Sequence, residues 1–531
     1  MANVQLSEYM ARRSALIQED RSLRRENALL TTLTDAEKRA DGIVRKIRED
    51  EANTVWKDEN IPNVFPGMGF LTCKDVIDKT QVFKLIQKMP KGALLHAHLD
   101  ATVHKTILMK LAYEHPEIHI SAPEGVTLTN LSSNVPLLQV FSQPQFTGTA
   151  SVSANTGYQA GSWIPLSVAR VSFDTALGGP EGFDKWLYGT MTINPSEAYG
   201  THNTVKKIWE KFLSTFRATT GLFYYRPIYR KYIRQFLIES IDDGISYMEP
   251  RINFINKFMW GESGEQNVPH REWLLDFDEI VKEVKAEMKN QGREDDFIGA
   301  KVIYTTVRVI TPEEMTWYTE DVIALKQEFP HLIAGFDIVG DENIAHPLTD
   351  YLPQLLVFNE KVRSQGLDLP LILHAGETLS DGGEPDNNMY DAILLGTKRI
   401  GHGYSIVKHP KLMQICRDQQ IALEICPISN EILRLTPSIP AHPLPIVINQ
   451  GIPVALNSDD PAVFGAMGLS YDFYQVLVSS EISGIITLAQ MARDSLSFST
   501  LSESEKGLAL ASWERRWSKF VDEVGSLDVS E

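Results

Sequence analysis

An eight-stranded (β/α)₈ barrel of the TIM type is the fold the sequence predicts, and three features predict it. First, short runs rich in Ile, Val and Leu alternate with helical patterns. They are ALLHAHLD (93–100), ISYMEPRI (245–252), GAKVIYTTVRV (299–309), LIAGFDIVG (332–340), PLILHAGET (370–378), KRIGHGY (398–404), IALEICPIS (421–429) and IPVALNSDD (452–460). Near-continuous apolar strands separated by helices imply a parallel sheet covered on both faces, and eight such units suggest a closed barrel. Second, almost every run ends in chemically capable residues, and the C-terminal ends of barrel strands form the active face. Third, no Gly-rich phosphate turn follows the first run, which disfavours an open doubly wound sheet.

The elements follow in chain order. Residues 1–85 read as an N-terminal helical extension, polar over 1–60. TDAEKRADGIVRKIREDEANTVW opens on an N-cap-like Thr34-Asp35 and carries mixed charges at helical spacing. A solvated helix and an arm for oligomer contacts both fit it. Residues 86–531 form the barrel, with an insertion at about 115–200 after the first strand. Within 121–179 the only charged residues are Glu124, Arg170 and Asp174, while Ser, Thr, Asn, Gly and Gln dominate. Its aromatic and aliphatic residues argue for packing rather than disorder. A βα unit needs only about 30 residues, so the excess is expected to hang over the mouth of the barrel. SLSFSTLSESEKGLALASWERRWSKFVDEV (495–524) reads as closing helices.

Composition narrows the functional classes. The 531 residues carry a formal charge of −18, which repels polyanions and argues against nucleic-acid partners. Three cysteines, Cys73, Cys416 and Cys426, give no disulfide framework and suit a reducing compartment. The charged start MANVQLSEYMARRSALIQED lacks the apolar stretch of a secretory signal, and no run long enough to span a membrane occurs. A cytoplasmic protein without membrane contact is expected.

The strand ends supply a metal site. His96 and His98 lie two residues apart, so in a strand they share a face. His374 ends another run and Asp459 the last, beside the first if the barrel closes. Three histidines, one carboxylate and a water make a plausible five-coordinate zinc site. No Cys-x-x-Cys exists, so cysteine ligands are not expected. His104, His115, His119, His202, His270, His331, His346 and His409 read as structural or exposed. Glu377, three residues beyond His374, can reach back over the metal as a desolvated, proton-donating acid. The bland alternative is a helix N-terminal glutamate. His402, flanked by glycines, can orient or deprotonate a water, or can be a buried hydrogen-bonded histidine. Asp460 beside Asp459 is left free for substrate, unless Asp-Asp-Pro is a plain turn.

MPKGALLHAHLDA, HAGET, RIGHGYSIVKHP, CPISN and LNSDDPAVFG, in this order, resemble the adenosine deaminase family of zinc aminohydrolases over about residues 85–520. MPKGALLH, the long insertion, WEKF and the ending SLSFS…W…W…F resemble its growth-factor-related branch. The resemblance implies one zinc ion per subunit on His96, His98, His374 and Asp459. It implies that Glu377 protonates purine N1, that His402 holds and deprotonates the attacking water, and that Asp460 bonds N7. It further implies a backbone contact from Gly340 to N3, a ribose contact from Asp100, and a substrate-lining place for Trp209. Hydrolytic deamination of adenosine and 2′-deoxyadenosine, small purine nucleosides, is then the expected activity. AMP, N6-modified adenine nucleosides or adenine are alternative substrates, with RPIYRKYIR (226–234) the candidate phosphate-binding cluster. A growth-factor-like binding protein with incidental activity is the alternative of another class. A homodimer through the N-terminal extension is an expectation from the branch. Two departures stand out: secreted branch members carry a signal peptide and a disulfide in the insertion, absent here, and HAHLD sets Asp100 two residues beyond the second histidine rather than directly after it.

Overall fold

The structure, a computed structural model, describes residues 2–57, 59, 61, 63–143 and 148–528. Residues 58, 60 and 62 of the extension, 144–147 of the insertion, and the terminal residues 1 and 529–531 lie outside the described residues. All eight apolar runs form barrel strands. They are β1 (Gly92–Leu94), β2 (Ile245–Met248, continued by Arg251–Asn253), β3 (Gly299–Ala300, continued by Val302–Val307) and β4 (Ile333–Val339). The other half is β5 (Leu373–Ala375), β6 (Arg399–His402), β7 (Ala422–Ile425) and β8 (Val454–Leu456).

Every barrel pairing is parallel, in sequential order. Ala93 faces Tyr247, Ile303 faces Arg251, and β3 runs beside β4 from Val302 to Val307. A bridge from Phe336 to Leu371 joins β4 to β5, and β5 through β8 pair in turn. The circle closes where Ala97 bridges Asp459: His98 N–H donates to the Asp459 carbonyl at 3.0 Å and Asp459 N–H to the His96 carbonyl at 3.1 Å. Strands buried on both faces explain why the runs are continuously apolar rather than alternating.

Helix α1 (Asp35–Asn53) begins at Thr34, whose hydroxyl accepts from Glu37 N–H while the Glu37 carboxylate returns the bond, a capping box. Neither sequence expectation describes it fully. Ala40, Ile43 and Val44 are buried, the Trp517 indole on the closing helix α3 (Glu503–Gly525) donates to Glu37 at 2.9 Å, and Arg48 caps four carbonyls near residue 480. It is a clasp between the two ends of the chain.

The insertion also departs from expectation. Ile118–Ser121 pairs antiparallel with Leu137–Val140 and Ile164–Pro165 in a small sheet, but no described residue of 121–179 lines the barrel mouth. Helix α2 (Val205–Phe223) roofs the mouth instead, and the sheet packs behind it. The approach is close: a Cβ on Gly221 would lie 1.7 Å from the Leu138 carbonyl oxygen, so only glycine fits. The three cysteines are buried and unpaired. Among the described residues no helix is long and apolar enough to cross a membrane.

Candidate active site

At the C-terminal ends of β1 and β5, His96, His98 and His374 each bring one ring nitrogen within 4.8 Å of the others, and Asp459 joins them from beyond β8. Asp459 Oδ1 lies 3.4 Å from His96 Nε2 and 3.3 Å from His98 Nε2. The Nδ1 atoms of His96 and His374 are already engaged, at 2.8 Å to Glu424 and 2.6 Å to Asp337. That leaves Nε2 of each for the centre of the cluster. His96 Nε2 and Asp459 Oδ1 are buried without any hydrogen-bond partner. Orphaned buried donor atoms of this kind call for a cation, and a three-imidazole, one-carboxylate set with room for water suits zinc. Cys426 also reaches this cluster, but burial and the nearby Asp459 push its thiol pKa well up, which disfavours the thiolate.

Two of these residues sit in strained backbone. His402 has φ 59° and Asp459 φ 60°, the left-handed region that costs non-glycine residues roughly 1–3 kcal/mol each. The strain turns both side chains inward at the strand ends. Gly401 lets His402 approach, since a Cβ there would lie 3.0 Å from His96 Cε1.

Glu377 is 4% exposed, its Oε1 has no hydrogen-bond partner, and it sits 3.6 Å from His402 Nε2. The helix N-terminal reading fails, because the next helix starts at Glu384. Burial, then the Asp459, Glu342 and Asp341 carboxylates, hold its pKa well above the usual range, so it keeps its proton. Asp460 is likewise raised by burial, Asp459 and Asp100. Its carbonyl accepts from Val463 N–H at 3.0 Å, so Asp-Asp-Pro does turn the chain, but its carboxylate caps no helix N–H and is left free for the pocket. Asp459 behaves oppositely: burial alone would raise it, but His402, His96 and His98 hold it well below the carboxylate range. Burial and the neighbouring histidines keep His402 neutral, although Asp459 pulls the other way.

These groups open into a cavity of about 210 Å³. His98, Asp100, Trp209, Gly340, His374, Glu377, His402, Asp459 and Asp460 all line it; His96 lies behind them. Trp209 projects from α2, and its indole N–H is buried without an acceptor. Asp100 comes from the turn Leu99–Ala101, and Gly340 ends β4 with φ 124°.

The adenosine deaminase family profile matches residues 193–512. The chain belongs to the adenosine deaminase family. It is 33% identical over 500 residues to adenosine deaminase 2 of Sus scrofa, covering 93% of this chain and 90% of that one. Identity to adenosine deaminase 2 of Homo sapiens is 32% over 467 residues, 87% and 84% of the two chains. These relatives agree with the growth-factor-related branch. Among solved structures, an adenine deaminase of Arthrobacter aurescens superposes with a TM-score of 0.53 at 18% identity, over 81% of this chain and 99% of that one. An Arabidopsis N6-mAMP deaminase gives 0.53 at 16%, over 81% and 99%. Both have the same fold.

In this adenosine deaminase family member the sequence reading missed the residues that hold the site in place. Glu424 on β7 accepts from His96, from Arg251 at 2.7 Å and from Arg399 at 2.6 Å, and Arg251 continues to Asp337 at 2.8 Å. A second buried carboxylate, Glu342, accepts from Glu377 N–H at 2.9 Å, Gly376 N–H at 3.2 Å and the Asn388 amide at 2.6 Å. It pins the turn that carries Glu377. Glu342→Gln puts an N–H against these donors. It is expected to lower kcat by about 10²-fold, the cost of roughly an ångström of misplacement. Zinc content, read by atomic absorption, should not change.

Proposed function

We propose that this enzyme hydrolyses adenosine and 2′-deoxyadenosine to the inosine nucleoside and ammonia. The observation that carries this reading is the pairing of a proton-bearing Glu377 with the orphaned donor atoms of His96 and Asp459 in one pocket. A zinc ion held by His96, His98, His374 and Asp459 would polarise a water and bring its pKa toward about 7. His402 lies beside that water's place and orients it. Glu377 donates its proton to purine N1, which breaks ring aromaticity and leaves C6 electrophilic. Asp460, protonated, donates to N7, an acceptor that an ionised carboxylate would repel. Gly340 lets the ring's N3 edge approach the backbone, and Asp100 and the Trp209 indole face the sugar. Water's oxygen ends on C6; one of its protons leaves with the amino group as ammonia, and the other returns to Glu377, whose own proton stays on N1.

The pocket wall favours a nucleoside over a nucleotide. Among the described residues no lysine or arginine lines it, and Phe212, Leu213, Phe216, Ile255 and Leu433 do. The candidate phosphate cluster is committed elsewhere: Arg226 and Arg230 pair with Asp276, Lys231 with Glu114, and Arg234 with Glu287. A phosphate dianion would lose water without gaining a cation, at a cost of several kcal/mol.

A zinc-loaded assay following loss of the adenine chromophore should therefore give kcat/KM for AMP at least about 10²-fold below adenosine, with adenine also slower. No turnover of any of the four substrates, 2′-deoxyadenosine included, sinks the proposal. Preference for AMP replaces it with a nucleotide deaminase.

A further inference from the structure

Asn430 and His442 touch neither metal ligand nor pocket, yet they run in a line to His402. We infer that they are positioning residues which set the tautomer of His402, placing its single proton on Nε2, the nitrogen that faces the attacking water. The kinetic part of this inference rests on the deamination reading; the tautomer itself is a property of the fold.

The polarity of the line is fixed at its outer end. Leu444 N–H donates to His442 Nδ1 at 3.0 Å. A backbone N–H can only donate, so His442 Nδ1 carries a lone pair. His442 is 3% exposed, and burial pushes its pKa down to about 3, so the ring is neutral and its proton sits on Nε2. That Nε2–H donates to Asn430 Oδ1 at 3.0 Å. An amide's two ends are told apart only by their partners, and this partner requires the oxygen. The other end of Asn430, the NH₂ group, then faces His402 Nδ1 at 3.3 Å. An amide nitrogen also only donates. His402 Nδ1 must accept, and the neutral ring carries its proton on Nε2.

The far side of His402 agrees. Nε2 faces the ionised Asp459 Oδ2, an acceptor, at 3.7 Å, with Glu377 Oε1 at 3.6 Å. The opposite tautomer needs Asn430 reversed, which turns His442 Nδ1–H against Leu444 N–H. Asn430 is fully buried and His442 nearly so, so no solvent relieves two donors set face to face.

The consequence concerns what His402 offers the reaction. With Nε2 protonated, it holds the incoming oxygen as a hydrogen-bond donor, and it donates to the oxygen that gains negative charge as C6 is attacked. Its lone pair is turned away toward Asn430. The resemblance assigns His402 the acceptance of water's proton; the Leu444–His442–Asn430 line gives it a donor's role instead.

Neutron diffraction from deuterated, zinc-loaded enzyme reads this directly. Deuterium on His402 Nε2, with none between His402 Nδ1 and Asn430, is expected; deuterium on Nδ1 overturns the inference. Asn430→Asp supplies the kinetic arm. A carboxylate accepts from both histidines, so His402 should move its proton to Nδ1. Then kcat should fall by about 10-fold or more while KM stays within about twofold and zinc stoichiometry is kept. A proton that moves with kcat unchanged overturns the positioning role. If the variant does not fold, the wild-type neutron map decides alone. Deuterium on Nε2 in an enzyme that turns over no purine supports the tautomer and overturns the deamination reading instead.

Discussion

A Glu377→Gln enzyme is expected to load zinc and bind adenosine as the parent does, and to turn it over about 10²–10⁴ times more slowly. The substitution keeps shape and removes only the transferable proton. Glu377 holds that proton because burial and three neighbouring carboxylates, led by Asp459, raise its pKa. The sign of the pH dependence follows. The acid works in its protonated form, so kcat should hold at low pH and fall as pH rises through the raised pKa. The glutamine enzyme should lack that alkaline limb. Steady-state kinetics across pH, with zinc measured in each sample, checks both parts. Full activity in the variant would remove Glu377 from the chemistry and leave the metal site untouched.

What the sequence revealed depended on spacing. Barrel strands are buried on both faces, so their apolar runs stood out, and active-face residues stood at their ends. His96 and His98 share a strand face, so their spacing alone suggested convergence. Glu424, Asp337, Arg251 and Arg399 were invisible for the opposite reason. They come from four different strands and meet only inside the closed barrel. Nothing in IALEICPIS separates Glu424 from a solvent-facing strand glutamate until β7 sits between β6 and β8. Asn430 and His442 belong to the same class, since a hydrogen-bonded line across loops leaves no period. The insertion was legible as packed but not as placed: its few charges implied contact, while the roof came from α2, where Trp209 lies. Helix α1 showed its cap in sequence because Thr34 and Glu37 are local, whereas its partner Trp517 lies 480 residues away.

Glu424→Gln is expected to weaken zinc binding and folding together. Glu424 is fully buried and satisfies three donors, His96, Arg251 and Arg399. Burial alone would raise its pKa; the two guanidinium groups overcome this and hold it well below the usual range. Glutamine fills the space but leaves two buried guanidinium groups short of charge, and removing one partner of such a cluster costs about 3–5 kcal/mol. It also replaces the carboxylate behind His96, and such outer partners change metal affinity by about 10–100-fold. The pH sign is the reverse of that for Glu377. A carboxylate with a depressed folded pKa stabilises the fold above its unfolded value near 4.3, and this stability is lost as pH falls through the folded pKa. The variant's denaturation midpoint should therefore depend less on pH in the acid range. Denaturant titration reads the stability, and competition with a chelator reads the zinc affinity. Excess zinc should restore much of the variant's activity by mass action, whereas it should do nothing for Glu377→Gln, which lacks a proton rather than a metal. If excess zinc restored neither activity nor stability, and zinc affinity were unchanged, Glu424 would be a structural member of the barrel floor and not a support of the metal site.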